Sequence, residues 1–183
     1  MPDTTAPGQP HLIRHGELFH DTVRRFEPDA EQNPAAFPPD EPDWLVPLDT
    51  WLQRDEQAYR FRAHPVAVLL SPDSGLDALF AQQDAAALQS QILFLAIDFP
   101  AYTDGRGYSL AQLSRRQYNW KGELRAIGDV MIDTMHYMAR CGFDSFLVKP
   151  SHDPRKALAA LGTFSVQYQK SYPPVPRVAI QEA

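Results

Sequence analysis

The chain has one cysteine, Cys141, and no apolar run longer than the six residues from Ile92 to Ile97. A lone cysteine excludes an internal disulfide and any site built from several thiolates, such as an iron–sulfur cluster or a cysteine-rich zinc knot. A run of six is far short of the ~20 residues a membrane helix needs, so no segment is expected to span a bilayer. Positive charge is also scarce. With 17 Lys and Arg against 23 Asp and Glu, the formal charge is −6. Such a surface repels phosphate backbones, so nucleic acid is not an expected partner. Met1 to Pro10 lack a basic start followed by an apolar stretch; they do not read as a signal peptide, and a cytoplasmic protein is expected.

What is present suits one folded domain. The chain has 183 residues, 44% of them apolar, enough to bury one core. Leu12 to Phe19 reads as a β-hairpin, with His15-Gly16 as the turn between apolar pairs. Residues 27 to 43 are rich in proline and acidic side chains without apolar periodicity, which predicts an irregular loop. Order resumes at Trp44 to Leu52, a strand edge and a short helix with Leu48, Trp51 and Leu52 on one face. The tail from Ser171, interrupted by Pro173, Pro174 and Pro176, is expected to be extended. The expected organisation is therefore an N-terminal segment 1–26, a loop 27–43, an α/β domain 44–170 and a tail 171–183.

Within 44–170, four strand–helix units follow one another. Val66 to Leu70, Ile92 to Ile97, Glu123 to Ile127 and Phe143 to Val148 are the strands. The helices after them are signalled by Ser74 with Asp77, by Ser109 with Gln112, by Asp129, and by Asp153 with Pro154. The first of these helices is expected to run to about Leu88. Nearly continuous apolar strands alternating with helices predict an α/β fold, with a mainly parallel sheet in an open layered arrangement. Four strands are too few for a closed barrel.

In such sheets ligands bind beyond the carboxyl ends of the strands, where loops enter helices. Ser71 and Asp73, the loop from Asp98 to Ser109, Gly128 with Asp129, and Lys149 to Asp153 all fall on that edge. The second loop is the most informative. Gly105 and Gly107 would let amide N–H groups point into a concavity, with Arg106 between them as a fixed positive fork and a helix N-terminus at Ser109. Asp104, Gly105, Arg106, Gly107, Ser109, Arg125 and Asp129 are the candidate anion-binding residues. The alternative for Arg106 is a tight turn with an ion pair to Asp104 or Asp98. Arg125 interrupts an apolar strand, which requires a partner if it is buried; Asp98 and Asp129 are its candidates, and a ligand contact is the other reading. Cys141 reads as a small buried hydrophobe near a helix C-terminus, and Asp133, His136 and Arg140 as a solvated stripe.

Leu12-Ile-Arg14-His15-Gly16-Glu17 matches the opening of the histidine phosphatases, with His152 as a candidate second histidine. Only Leu12 and Ile13 precede it, and the expected hairpin competes with that assignment. No dinucleotide fingerprint and no convincing metal spacing among His11, His15 and His20 accompany it, and no residue is assigned as catalytic.

A longer block carries a more specific resemblance: Asp98-Phe-Pro, Asp104-Gly-Arg-Gly-Tyr-Ser109, Gly122-Glu-Leu-Arg-Ala126, Gly128-Asp129 and Arg140-Cys-Gly-Phe-Asp144. It closely resembles the bacterial family known as domain of unknown function 934, over most of residues 44 to 169. Gln112, Arg116 and Gln117 depart from the Arg, Glu, Arg usual in that family, and Thr134 from its usual Gln. The resemblance implies context, since family members are labelled as oxidoreductases linked to sulfite reduction and are encoded beside sulfite reductase and sulfate-assimilation enzymes. It implies an accessory protein that binds an anion or a reductase partner. An oxidoreductase with a non-covalent cofactor is the alternative, and a histidine phosphatase using Arg14-His15-Gly16 is the third reading. Hydride or electron transfer would require that cofactor, because side chains do not readily supply it.

Overall fold

The computed structural model describes residues 11–28, 36–81 and 85–162. Met1 to Pro10 and the tail from Ser171 lie outside the described residues. The described residues form eight strands: β1 (Leu12–Arg14), β2 (Glu17–Phe19), β3 (Arg24–Arg25), β4 (Trp44–Pro47), β5 (Val66–Leu70), β6 (Ile92–Phe99), β7 (Leu124–Gly128) and β8 (Ser145–Leu147). The helices are α1 (Leu48–Leu52), α2 (Glu56–Tyr59), α3 (Leu76–Phe80), α4 (Ala85–Gln91), α5 (Arg106–Arg116), α6 (Ile132–Cys141) and α7 (Pro154–Leu161).

All eight strands form one sheet in the order β2-β1-β8-β7-β6-β5-β4-β3. From β3 to β8 neighbours are parallel, and β1 joins β8 and β2 antiparallel, so the sheet is mixed. The open, mainly parallel sheet from four strand–helix units is thus overturned: the architecture is an eight-stranded mixed half-barrel. The hairpin, expected within a separate N-terminal segment, supplies two of the strands. The short pair Arg24-Arg25 has no apolar signature and was unreadable as a strand.

Strand order explains the one-sided layering. When parallel strands are added in sequence order, right-handed crossovers place every connection on the same face. Leu48 and Trp51 of α1, Leu76 and Leu79 of α3, Leu88 of α4, Leu110 and Ala111 of α5, Met135 and Met138 of α6, and Ala157 of α7 accordingly share one core with Val46, Val68, Leu70, Ile97, Phe99 and Phe146. The opposite face has a smaller apolar cluster made of strand residues alone: Leu45, Ala67, Leu69, Phe94, Ala96 and Ile127.

Residues 20–23 close this second face. β2 and β3 sit at opposite edges of the sheet, yet only four residues join them. Five chain steps from Phe19 to Arg24 reach at most about 18 Å. Seven strand gaps in a flat sheet would separate the edges by roughly 34 Å. The sheet must therefore curl, and the connection crosses its concave side as a chord. Val23 packs on the inner cluster, and the Asp21 carboxylate accepts a hydrogen bond from Arg125 NH1 at 3.1 Å.

Local chemistry agrees with several assignments and corrects others. His15 and Gly16 both have positive φ, 52° and 78°, the pair of values that a tight two-residue hairpin turn needs. Asp153 caps α7 by accepting from Arg155 N–H at 2.9 Å, with Pro154 at its first position. Ser74 and Asp77 form no capping box. Two short helices, α3 and α4, replace the single helix expected to Leu88, α3 starts without a side-chain cap, and Asp77 accepts from the Tyr118 hydroxyl instead. The loop portion 36–43 is irregular but tied down: Arg62 donates to the carbonyls of Pro38 and Pro39 at 2.8 Å, and Asp40 accepts from the N–H groups of Ala63 and His64.

Arg125 links the chord to the sheet. It is buried, lies 3.8 Å over the Phe94 ring, and donates to Glu123 through Nε and NH2 at 3.0 and 2.9 Å as well as to Asp21. Ser145 donates to the same Glu123 oxygen at 2.6 Å. Removing one member of a buried ionic group leaves the others uncompensated, at about 3–5 kcal/mol. Arg125→Ala should lose that much stability in urea unfolding, and Asp21→Asn, which keeps an acceptor, should lose less. Equal stabilities of Arg125→Ala and wild type would show that the chord does not hold the curl.

Candidate functional site

The carboxyl ends of β5, β6, β7 and β8 open into the loops 71–75, 100–105, 129–131 and 148–153. Two polar ties fasten these loops together. In the first, Asp104 at the end of the β6 loop accepts from Arg106 N–H at 3.1 Å, from Nε at 3.0 Å and from NH2 at 2.7 Å. Arg106 NH1 pairs with Asp73 in the β5 loop. The guanidinium beside Asp104 holds that carboxyl below its usual range, and Asp104 and Asp73 together push the guanidinium pKa up.

In the second tie, Asp129 follows β7. Its N–H donates to Phe99 O at 2.7 Å, its Oδ2 accepts from Tyr102 N–H at 2.9 Å, and its Oδ1 pairs with Lys149 beyond β8. Lys149 first and Tyr102 N–H second lower the Asp129 pKa. The chain reaches this geometry because Gly128 has φ +85°, where an L side chain is strained. A Cβ there would also stand 2.5 Å from Phe99 O.

The predicted residues therefore divide. Asp104, Gly105 and Arg106 lie at the first tie and Asp129 at the second, both on the C-terminal edge. Gly105 has an ordinary helical φ of −73° and open space around it, so the expected backbone concavity does not form there. Gly107 is needed for space rather than conformation: its missing Cβ would lie 2.5 Å from the Phe99 ring. α5 begins at Arg106, so Ser109 is an exposed residue of its first turn and not a cap. Asp129 is likewise no cap, since Met131 occupies that position before α6. Arg125 leaves the edge altogether, because its partners Glu123 and Asp21 draw it along the concave face toward the amino ends of the strands. Asp98 pairs with neither arginine; burial pushes its carboxyl up, partly offset by Arg25.

Residues that the pattern did not reveal brace the opposite, amino ends of β7 and β8. Arg115 is 5% exposed and donates to the carbonyls of Gly142, Trp120 and Gly122 at 2.8–3.0 Å and to the Asp144 carboxylate. It staples the end of α5 to the turn after α6 and to the entry of β8. Its position in the buried stripe Gly107, Ala111, Ser114 was the available signal. Asp21 gave none, lying 104 residues from Arg125.

The phosphatase reading meets a geometric obstacle. Arg14 pairs in register with Ser145 and Leu12 with Leu147, so His15 lies at the amino end of β8 and His152 beyond its carboxyl end. The two histidines are at opposite ends of the sheet. Among the described residues no group of three or more His, Cys, Asp or Glu is placed to hold a metal, and no helix is long and apolar enough to cross a membrane.

A family model described as bacterial protein of unknown function, DUF934, matches residues 67–176, and the chain belongs to that family. The match spans β5 to α7 and so contains both ties. No curated protein matches the chain.

Asp129 and Asp104 have depressed pKa values, so the stability they contribute is present above the unfolded value of about 3.9 and is lost as pH falls through their lower folded values. Asp129→Asn should reduce the loss of stability between pH 5 and pH 2, roughly the window those directions define. Urea midpoints across that range provide the measurement. An unchanged pH slope would show that the Lys149 tie contributes nothing to folding.

Proposed function

We propose that this member of the DUF934 family is an accessory protein of assimilatory sulfite reduction that docks a reductase partner with the C-terminal edge of its sheet. The link to sulfite reduction rests on the family resemblance and its genetic context. The docking reading is supported by one observation: both ties converge on the loop 100–105, which displays Tyr102, 52% exposed, between a clasped arginine and a paired lysine. A fixed loop loses little entropy on binding, and aromatic and arginine side chains dominate binding energy at interfaces.

The same geometry favours a protein partner over a free anion. Arg106 already faces two carboxylates, so a small anion would have to displace one of them. A protein surface can instead accommodate the alternating Asp73, Arg106, Asp104, Asp129 and Lys149 charges. Complementary charge at such a rim governs encounter rate and register more than affinity.

Tagged protein should co-purify with sulfite reductase, and Tyr102→Ala should weaken the complex by about tenfold or more. Cells lacking the chain should release less sulfide from sulfate. Normal growth on sulfate together with no retained reductase would overturn the reading. A purified protein carrying a flavin absorbance would favour the alternative of an oxidoreductase with a non-covalent cofactor.

A further inference from the structure

The concave face of the sheet is apolar at its centre and charged at its rim. Ala96 and Ile127 belong to the inner cluster, and Val23 and Leu147 pack on it. Each of the four is followed two residues later by a charged residue: Arg25, Asp98, Asp129 and Lys149. Successive side chains of a strand alternate between faces, so Arg25 in β3 and Asp98 in β6 share the face of Val23 and Ala96. Asp98 lies next to the carboxyl end of β6, beside Ile127 in the parallel ladder. Parallel sheets place their ligands at that end.

Two of the rim charges satisfy each other, since Lys149 pairs with Asp129. The other two do not. Among the described residues neither Asp98 nor Arg25 is in an ion pair with another side chain. Burial pushes the Asp98 carboxyl up, and Arg25 is the first influence that lowers it. Strands β4 and β5 stand between β3 and β6, so that influence acts across the curl. Charges near a surface act over about 10 Å, which places the guanidinium beyond contact with the carboxylate but within that reach. The carboxylate is also confined from the side. A Cβ at Gly128 would stand 2.6 Å from Asp98 Oδ1, so the glycine there leaves it room.

A partly buried carboxylate and an exposed guanidinium therefore face each other without touching, above apolar residues. A simple cation or anion would satisfy one pole and leave the other. A molecule with an ammonium and a carboxylate matches both. We propose that this concave mouth binds a small amino acid as its zwitterion, the ammonium on Asp98, the carboxylate on Arg25 and the aliphatic remainder against Ile127 and Leu147. Asp98 gains the counter-charge that its burial calls for, and the planar fork of Arg25 takes a carboxylate with two N–H donors. The inference does not rest on the docking reading, because it uses neither Tyr102 nor Arg106.

Titration of the full-length protein with L-alanine, followed by amide chemical shifts, tests the assignment. Saturable shifts centred on residues 23–26, 96–99 and 127–129 are expected below about 10 mM. L-alaninamide, which lacks the carboxylate, and N-acetyl-L-alanine, which lacks the ammonium, should each bind about tenfold more weakly or worse. Asp98→Asn and Arg25→Gln should weaken L-alanine by a similar factor, with urea midpoints measured alongside to show that each variant is folded. Arg25 is exposed, so its substitution remains informative even if Asp98→Asn unfolds the chain. Absence of saturation, equal binding of either derivative, or unchanged binding by Arg25→Gln would overturn the proposal.

Discussion

The chord formed by residues 20–23 sets the shape of this molecule. An eight-stranded sheet whose β2–β3 connection runs from edge to edge cannot lie flat, because four residues do not reach that far. The curl that results gives the sheet a convex side for helices and a concave side that the chord itself crosses. Asp21 and Val23 fasten it there, one to Arg125 and the other to the inner apolar cluster. The charged group is protected from water on a face otherwise made of Leu45, Ala67, Leu69, Phe94 and Ala96.

Buried arginine recurs as a structural device. Arg125 joins the chord to β7 and β8, and Arg115 joins α5 to the turns around α6 and β8. Both have a guanidinium whose fork matches several acceptors at once, which a lysine could not copy. Removing such groups from water is costly, and the cost is met only because nearly every donor finds an oxygen. These are the residues on which the strand order depends, although neither touches the C-terminal edge.

The C-terminal edge neutralises its charges in place. At the edge, Asp104, Asp73 and Asp129 neutralise Arg106 and Lys149, producing a stiff surface of alternating sign suited to another protein. The edge follows from the half-barrel, because the parallel strands β5 to β8 bring their exit loops to one end.

The sequence by itself determined the local elements: the hairpin at His15-Gly16, the strands at Val66 to Leu70 and Ile92 to Ile97, and the cap at Asp153. Each depends on neighbours a few residues away, where turn chemistry and apolar periodicity decide the outcome. It also required a buried partner for Arg125, without naming it. Only the tertiary structure decided that the partner is Asp21, that Arg106 is clasped by Asp73, and that eight strands curl into a half-barrel rather than four lying open. Those outcomes depend on which edges the chain can reach and on which charges the curl brings together, and distances of that kind leave no periodic mark in the sequence.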